Sequence, residues 1–214
     1  NSLDFAEDIV DATGSELFVQ DAFGVAHRKH ASLTRFPEVV PSAAGLLLQK
    51  EIQFLNIPEA NNLNLLIGGA KVESKLPVIS NFICKADSIL TGGVVANTFL
   101  QASKIEIGAS LFDEPTLKMA SQTITKISES ETKLLLPEDY LTATSPDALL
   151  AQEFTKDNLK TDQMILDLGV GTTSKYKSKL ATSSTIIWAG TLGFAENPVF
   201  ASSSRNILNY ILDL

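Results

Sequence analysis

Short apolar runs recur along the chain, most of them closed by glycine and followed by a stretch with helical spacing. Leu63, Leu65, Leu66 and Ile67 make up the first, and Gly68-Gly69 ends it. This rhythm predicts strands at 63–68, 88–93, 133–140, 164–169 and 185–190. All but the third end on glycine. Helices are predicted between and after them, at 70–79, 96–103, 114–129, 176–181 and 198–214. Ahead of this region, Phe5, Ile9 and Val10 space a weakly amphipathic helix over 1–16, which Gly14 interrupts. A brief strand at 17–19 leads into a polar loop, 21–30, and Pro37 and Pro41 bracket a turn. Leu48, Ile52 and Leu55 (i, i+4, i+7) predict a helix over 42–55, ended by Pro58 and Asn61-Asn62. A domain boundary is expected inside this helical segment. Strand–glycine–helix repetition predicts an α/β fold built on a doubly wound parallel sheet. Such sheets hold ligands outside the carboxyl ends of their strands, where Gly68, Gly69, Gly92, Gly93, Gly169 and Gly190 stand.

Composition narrows the partners. The 214 residues allow one large domain, or one domain with part of another. A 44% hydrophobic share supplies a core. The net charge of −8 argues against nucleic acid and anionic membranes, which attract basic faces, but leaves small anions open. Cys84 stands alone, so no internal disulfide framework exists, and a reducing cytoplasm is expected. No run approaches the ~18 apolar residues of a membrane span, and the start carries no secretory pattern. Asn1 in place of methionine suggests a fragment or a processed chain.

Chemistry concentrates at two places. In the string G-G-A-K-V-E-S-K (68–75), the glycines let a ligand approach the backbone. A helix would begin just after them, with Pro77 in its first turn. Lys71 and Lys75, four apart, would share one face at its N-terminal end. Free N–H groups, a positive dipole end and two ammonium groups make a phosphate site. Taken alone, the same residues describe an ordinary βα turn with solvated lysines, and neither G-x-x-x-x-G-K-[ST] nor G-x-G-x-x-G is present. A dinucleotide-dependent oxidoreductase is disfavoured, because no acidic residue follows at the spacing a ribose partner needs. The second place is the loop 21–30, D-A-F-G-V-A-H-R-K-H. His27, Arg28, Lys29 and His30 there could seat a carboxylate or phosphate. A metal at His27 and His30 lacks a third ligand, so no metal ligand is assigned.

Seven strings together resemble phosphoglycerate kinases. G-G-A-K-V-x-x-K resembles the opening βα unit of that family's nucleotide domain. The 21–30 loop is similar to D-A-F-G-x-A-H-R-x-H, which closes the family's N-terminal domain. P-S-A-A-G-L-L-L-Q-K-E (41–51) resembles the interdomain helix. T-G-G-V-V-A-N-T-F-L (91–100) resembles G-G-x-x-A-N-T-F, and G-A-S-L-F-D-E (108–114) matches G-x-S-L-F-D-E. D-L-G-V-G-T (167–172) departs from Asp-x-Gly-Pro by Val170, which puts loop stiffness in question. W-A-G-T-L-G-F-A-E (188–196) resembles W-N-G-P-x-G-x-x-E, with Ala189 and Thr191 replacing asparagine and proline.

The resemblance implies three parts: the end of an N-terminal α/β domain (1–41), an interdomain helix and linker (42–60), and an incomplete, Rossmann-like nucleotide domain (61–214). It implies reversible phosphoryl transfer from 1,3-bisphosphoglycerate to ADP, giving ATP and 3-phosphoglycerate, by a cytoplasmic monomer of glycolysis. Arg28, Lys71 and Lys75 would be catalytic, and His27, Arg28 and His30 would bind phosphoglycerate. Gly68, Gly69, Lys71, Lys75, Gly92, Gly93, Leu111, Gly169, Gly190 and Glu196 would line the nucleotide, with Leu111 in the adenine pocket and Glu196 at the ribose. Mg2+ would arrive with ATP or ADP. Its family aspartate lies in G-G-G-D-[ST], which the chain lacks together with G-G-G-A and most of the N-terminal arginines. About the middle half of a family member is therefore expected here, inactive by itself. The alternative is a catalytically incomplete nucleotide-binding fragment or divergent homologue.

Overall fold

The computed structural model describes residues 2–56 and 62–214. It divides into two compact units, Asn1–Pro58 and Glu59–Leu214.

In the first unit, helix α1 (Leu3–Thr13) opens on the Ser2 hydroxyl, which accepts from the Phe5 N–H at 3.3 Å. It closes on Gly14 in the left-handed conformation. Strand β1 (Phe18–Gln20) leads to the 21–30 loop. Pro37 does not sit in a plain turn but inside the second of two short helices, α2 (Ala31–Thr34) and α3 (Phe36–Val39). Residues 42–44, expected to be helical, instead form β2 (Ser42–Ala44), parallel to β1 with Phe18 opposite Ser42. Helix α4 (Leu46–Leu55) follows. Asp21, 27 residues upstream, reaches its head, where a carboxylate oxygen accepts from Leu48 N–H at 2.8 Å. Gly45 leaves room for that carboxylate, since a Cβ there would lie 2.3 Å from it. The expected apolar face of α4 is only partly buried: Leu48 is half-buried, whereas Ile52 and Leu55 are exposed. The expected breakers Pro58 and Asn61 lie outside the described residues.

The second unit holds β3 (Leu63–Ile67), α5 (Val72–Phe82), β4 (Ser88–Thr91), α6 (Gly93–Ala102) and α7 (Leu117–Ser128). It continues with β5 (Lys133–Leu135), β6 (Asp139–Ala143), β7 (Gln152–Thr155) and β8 (Met164–Leu168). Helix α8 (Val170–Leu180), β9 (Thr185–Ala189) and α9 (Ser202–Leu212) complete it. Four strands form a parallel sheet in the order β5-β4-β3-β9. Every residue of β3 and β4 is buried, as expected for strands covered on both faces.

The remaining strands correct the expected pattern. The segment 133–140 is two strands, parted at Leu136-Pro137, where proline has no N–H to continue a ladder. The 164–169 strand lies outside the parallel sheet. It pairs antiparallel with β6, which also takes β7, giving a second sheet of order β7-β6-β8.

Tyr176 of α8 ties the sheet to this helix. Its buried hydroxyl accepts from Thr91 N–H at 3.3 Å and faces two carbonyl acceptors, Thr91 O at 2.8 Å and Leu135 O at 2.9 Å. Burial pushes the phenol's pKa up. Tyr176→Phe should cost about 1–2 kcal/mol. Urea unfolding measures it, and an unchanged midpoint would show that these bonds add nothing to stability.

Candidate functional site

In the order β5-β4-β3-β9 the winding reverses between β3 and β9, so a crevice opens at their carboxyl ends. The glycine turns meet there. Gly68 N–H donates to Ala189 O at 3.0 Å and Gly69 N–H to Thr191 O at 2.8 Å. Gly92 N–H donates to Ile67 O at 3.0 Å and Gly93 N–H to Leu192 O at 2.7 Å. These turns pack backbone on backbone: a Cβ on Gly68 would stand 2.1 Å from Thr191 O, and one on Gly92 2.6 Å from Leu192 Cα. Much of the demand for glycine is therefore set by the neighbouring chain itself, before any ligand.

A cavity of about 240 Å3 opens beside these turns. Gly69, Ala70, Gly93 and Val94 wall it from the first two turns, Met164, Ile165 and Leu166 from β8, and Thr191, Gly193, Phe194 and Glu196 from the loop after β9. Asn97, Leu111 and Pro146 complete the lining. The Leu111 segment is held by α6: Asn97 Nδ2 donates to Leu111 O at 3.0 Å, and Thr98 Oγ1 accepts from Asp113 N–H at 3.0 Å. Ser110 Oγ accepts from Ile165 N–H at 2.7 Å, fixing the same segment to β8. Glu196 is exposed at this cavity, and no hydrogen bond or ion pair holds its carboxylate among the described residues.

Helix α5 starts one residue later than Lys71, so the two lysines do not share a helical face. Lys71 is the N-cap residue, outside helical geometry, and Lys75 lies in the first turn and is half-buried. No side chain caps this helix end, which leaves N–H groups and the positive dipole end open beside Ala70. Pro77 is not in the first turn. It stands inside the helix, where it gives up the bond to the Glu73 carbonyl.

Seven of the nominated nucleotide residues thus gather at one crevice: Gly68, Gly69, Gly92, Gly93, Leu111, Gly190 and Glu196. Gly169 does not join them. It caps α8 and borders a different hollow with Val170, Lys177 and Ser202. Its missing Cβ makes way for Asp139, whose carboxyl carbon would be 2.4 Å from one. That carboxylate accepts from Gly171 N–H at 2.7 Å and Thr172 N–H at 2.6 Å, capping α8 from 33 residues away in the case of Thr172. Val170 leaves an N–H that proline would lack, and Glu153 Oε1 accepts it at 3.2 Å. His27, Arg28 and His30 belong to the first unit. All three are exposed, and no side-chain hydrogen bond or ion pair engages them among the described residues.

Among the described residues no group of three His, Cys, Asp or Glu side chains could hold a metal ion. Among the described residues, Glu196 is the one carboxylate that lines the cavity. The residues present therefore do not fit a protein-held Mg2+, and no chemistry is routed through one. Sequence reasoning missed Asn97, Met164, Ile165 and Phe194 as lining residues. Asn97 was legible as the polar member of an otherwise apolar helix start. The β8 residues were hidden by the expectation that their strand belonged to the parallel sheet.

The family model for phosphoglycerate kinase matches residues 2–214. A phosphoglycerate kinase of Koribacter versatilis is 40% identical over 209 residues, covering 95% of this chain and 51% of its own length. One from Wolbachia of Drosophila simulans is 32% identical, covering 100% and 54%. The solved phosphoglycerate kinase of Coxiella burnetii superposes with a TM-score of 0.86 at 31% identity, covering 99% of this chain and 55% of that one. The chain spans about half the length of the relatives it matches. No described helix is long and apolar enough to cross a membrane.

Proposed function

The chain belongs to the phosphoglycerate kinase family, and we propose that its parent protein transfers a phosphoryl group reversibly between 1,3-bisphosphoglycerate and ADP. One observation carries the reading: a cavity at the reversal of the parallel sheet, with the uncapped head of α5 and its two lysines beside it. Phosphoryl transfer asks little covalent chemistry of a protein and much positioning and charge neutralisation. The open N–H groups of α5 would receive the nucleotide phosphates, and Lys71 and Lys75 would neutralise the phosphoryl group in transit. The apolar wall including Leu111 would take the base, and Glu196 the ribose hydroxyls. Arg28, with His27 and His30, would bind the carboxylate and phosphate of 3-phosphoglycerate. The reading includes Mg2+ as a companion of the nucleotide, with no ligand assigned to it from this chain. It also includes a monomer in the cytoplasm, as suits a glycolytic enzyme with one exposed free thiol.

Calorimetric titration with Mg-ADP, with NAD as control, tests the reading. Saturable ADP binding is expected, and Lys75→Ala should weaken it about tenfold, or ~1.4 kcal/mol. Equal affinity in the variant would remove Lys75 from the phosphate site, and preference for NAD would overturn the reading. The second reading, a fragment that binds nucleotide without turnover, is favoured by the span of half a relative. ADP binding without kinase activity would support it.

A further inference from the structure

Strand β5 is the outer strand of the parallel sheet on the side away from β9. Beside it lies a further hollow, of about 250 Å3, which among the described residues shares no lining with the crevice cavity. Ile105, Leu134, Leu135 and Leu136 give it an apolar wall, and each stays half-buried. Ile105 and Leu136 pack from behind on the buried cluster of Leu100, Ile107 and Tyr140, so the wall is preformed. An apolar wall with a few polar groups around it is how small-molecule pockets are built.

The exposed rim of the hollow is charged. Lys175 Nζ donates to Glu138 Oε1 at 2.8 Å, so these two offset one another. Lys156 lines the same rim, and among the described residues no hydrogen bond, ion pair or ring contact engages its ammonium. Its charge does reach Glu138: that carboxyl is held below its ordinary range by the Lys175 hydrogen bond first, with Lys156 adding to it. The lining therefore carries two positive charges against one negative, in a chain whose net charge is −8. A local excess of the minority sign next to an apolar wall suits an anion with a hydrocarbon part. We propose that this hollow binds a small amphipathic anion of the aliphatic carboxylate class, its chain along Leu134 and Leu136 and its head group at Lys156. The proposal stands apart from the nucleotide reading, because hollow and crevice are lined by different residues.

Amide NMR titrations of the unaltered chain with octanoate, hexanoate and octylammonium test the site. Octanoate should shift the amides of Leu134, Leu136, Lys156 and Lys175 saturably, and leave those of Gly69, Gly93 and Glu196 at the crevice in place. Hexanoate should bind several-fold more weakly, at up to about fourfold per methylene buried. Octylammonium has the same chain and the opposite charge, and should bind about fivefold more weakly than octanoate. Lys156→Glu turns the lining from one net positive charge to one net negative, and should reverse that order. The substitution is at an exposed residue, so the fold is kept. Octanoate shifts at the crevice in place of the β5 edge would overturn the proposal. So would equal affinity of octanoate and either comparison ligand, an order that survives in Lys156→Glu, or shifts that never saturate.

Discussion

Gly190→Ala should cost on the order of 4 kcal/mol of folding stability. Two penalties add. Gly190 sits at φ +93°, where an L side chain is strained by about 1–2 kcal/mol. The new Cβ would also stand 2.4 Å from Gly68 O and 2.8 Å from Gly68 C. These are backbone atoms of a buried turn and have no rotamer with which to retreat, so overpacking adds about 1–3 kcal/mol. Because β3 and β9 are hydrogen-bonded neighbours along their whole length, relief would require the two strands to part at the crevice. Urea unfolding of the purified chain measures the loss. A change below about 1 kcal/mol would mean that the two turns are not in contact as described.

Asp167→Ala should come next, at on the order of 3 kcal/mol. The carboxylate is 1% exposed and serves as a junction for three segments. It accepts from Ser203 N–H and Ser202 Oγ, both at 3.0 Å, from the Ser203 hydroxyl, and from Leu168 N–H at 2.9 Å. Gly193 makes space for it, since a Cβ there would lie 2.3 Å from Oδ1. Alanine strands all these donors, at about 1–3 kcal/mol for each one left buried and unsatisfied. Burial raises the pKa of this carboxyl above its usual value of 3.8, despite the hydrogen bonds that oppose the shift. The folded chain therefore holds the proton more tightly than the unfolded one. The stability this group contributes is full below about 3.8 and falls as pH rises through the raised pKa. Asp167→Asn keeps an acceptor and carries no charge, so its stability should lack that fall. Unfolding midpoints of the two proteins across the acid range give the comparison. Parallel profiles would show that Asp167 ionises without cost.

The crevice was legible because its chemistry is local: Gly68-Gly69, Gly92-Gly93 and Gly190 each follow directly on an apolar run, and a ligand site at strand ends needs only that pattern. Local reading failed where a distant residue decides. The start of α8 was expected at Tyr176, six residues late, because nothing nearby in sequence caps the first turn; Asp139 does so from another strand, accepting from Gly171 and Thr172 N–H. Gly169 looked like a ligand contact for the same reason. Strand β7 escaped notice because Gln152, Glu153 and Thr155 are exposed, and such an edge carries no apolar run. Pro77 was placed by its preference for first turns, which the packing of Leu76 and Ile79 overrides.

Among the described residues, three helices are capped by an aspartate from far along the chain: α4 by Asp21, α8 by Asp139 and α9 by Asp167. In the unfolded chain those carboxylates are separated from their helices by long, flexible loops, so the caps cannot help the helices nucleate. They form only when the strands or loops that carry them have docked. The amides of Leu48, Gly171, Thr172 and Ser203 thereby become clocks. In pulsed hydrogen exchange during refolding they should gain protection together with the strands of their own unit, and later than helix amides such as Phe5, which Ser2 caps from three residues away.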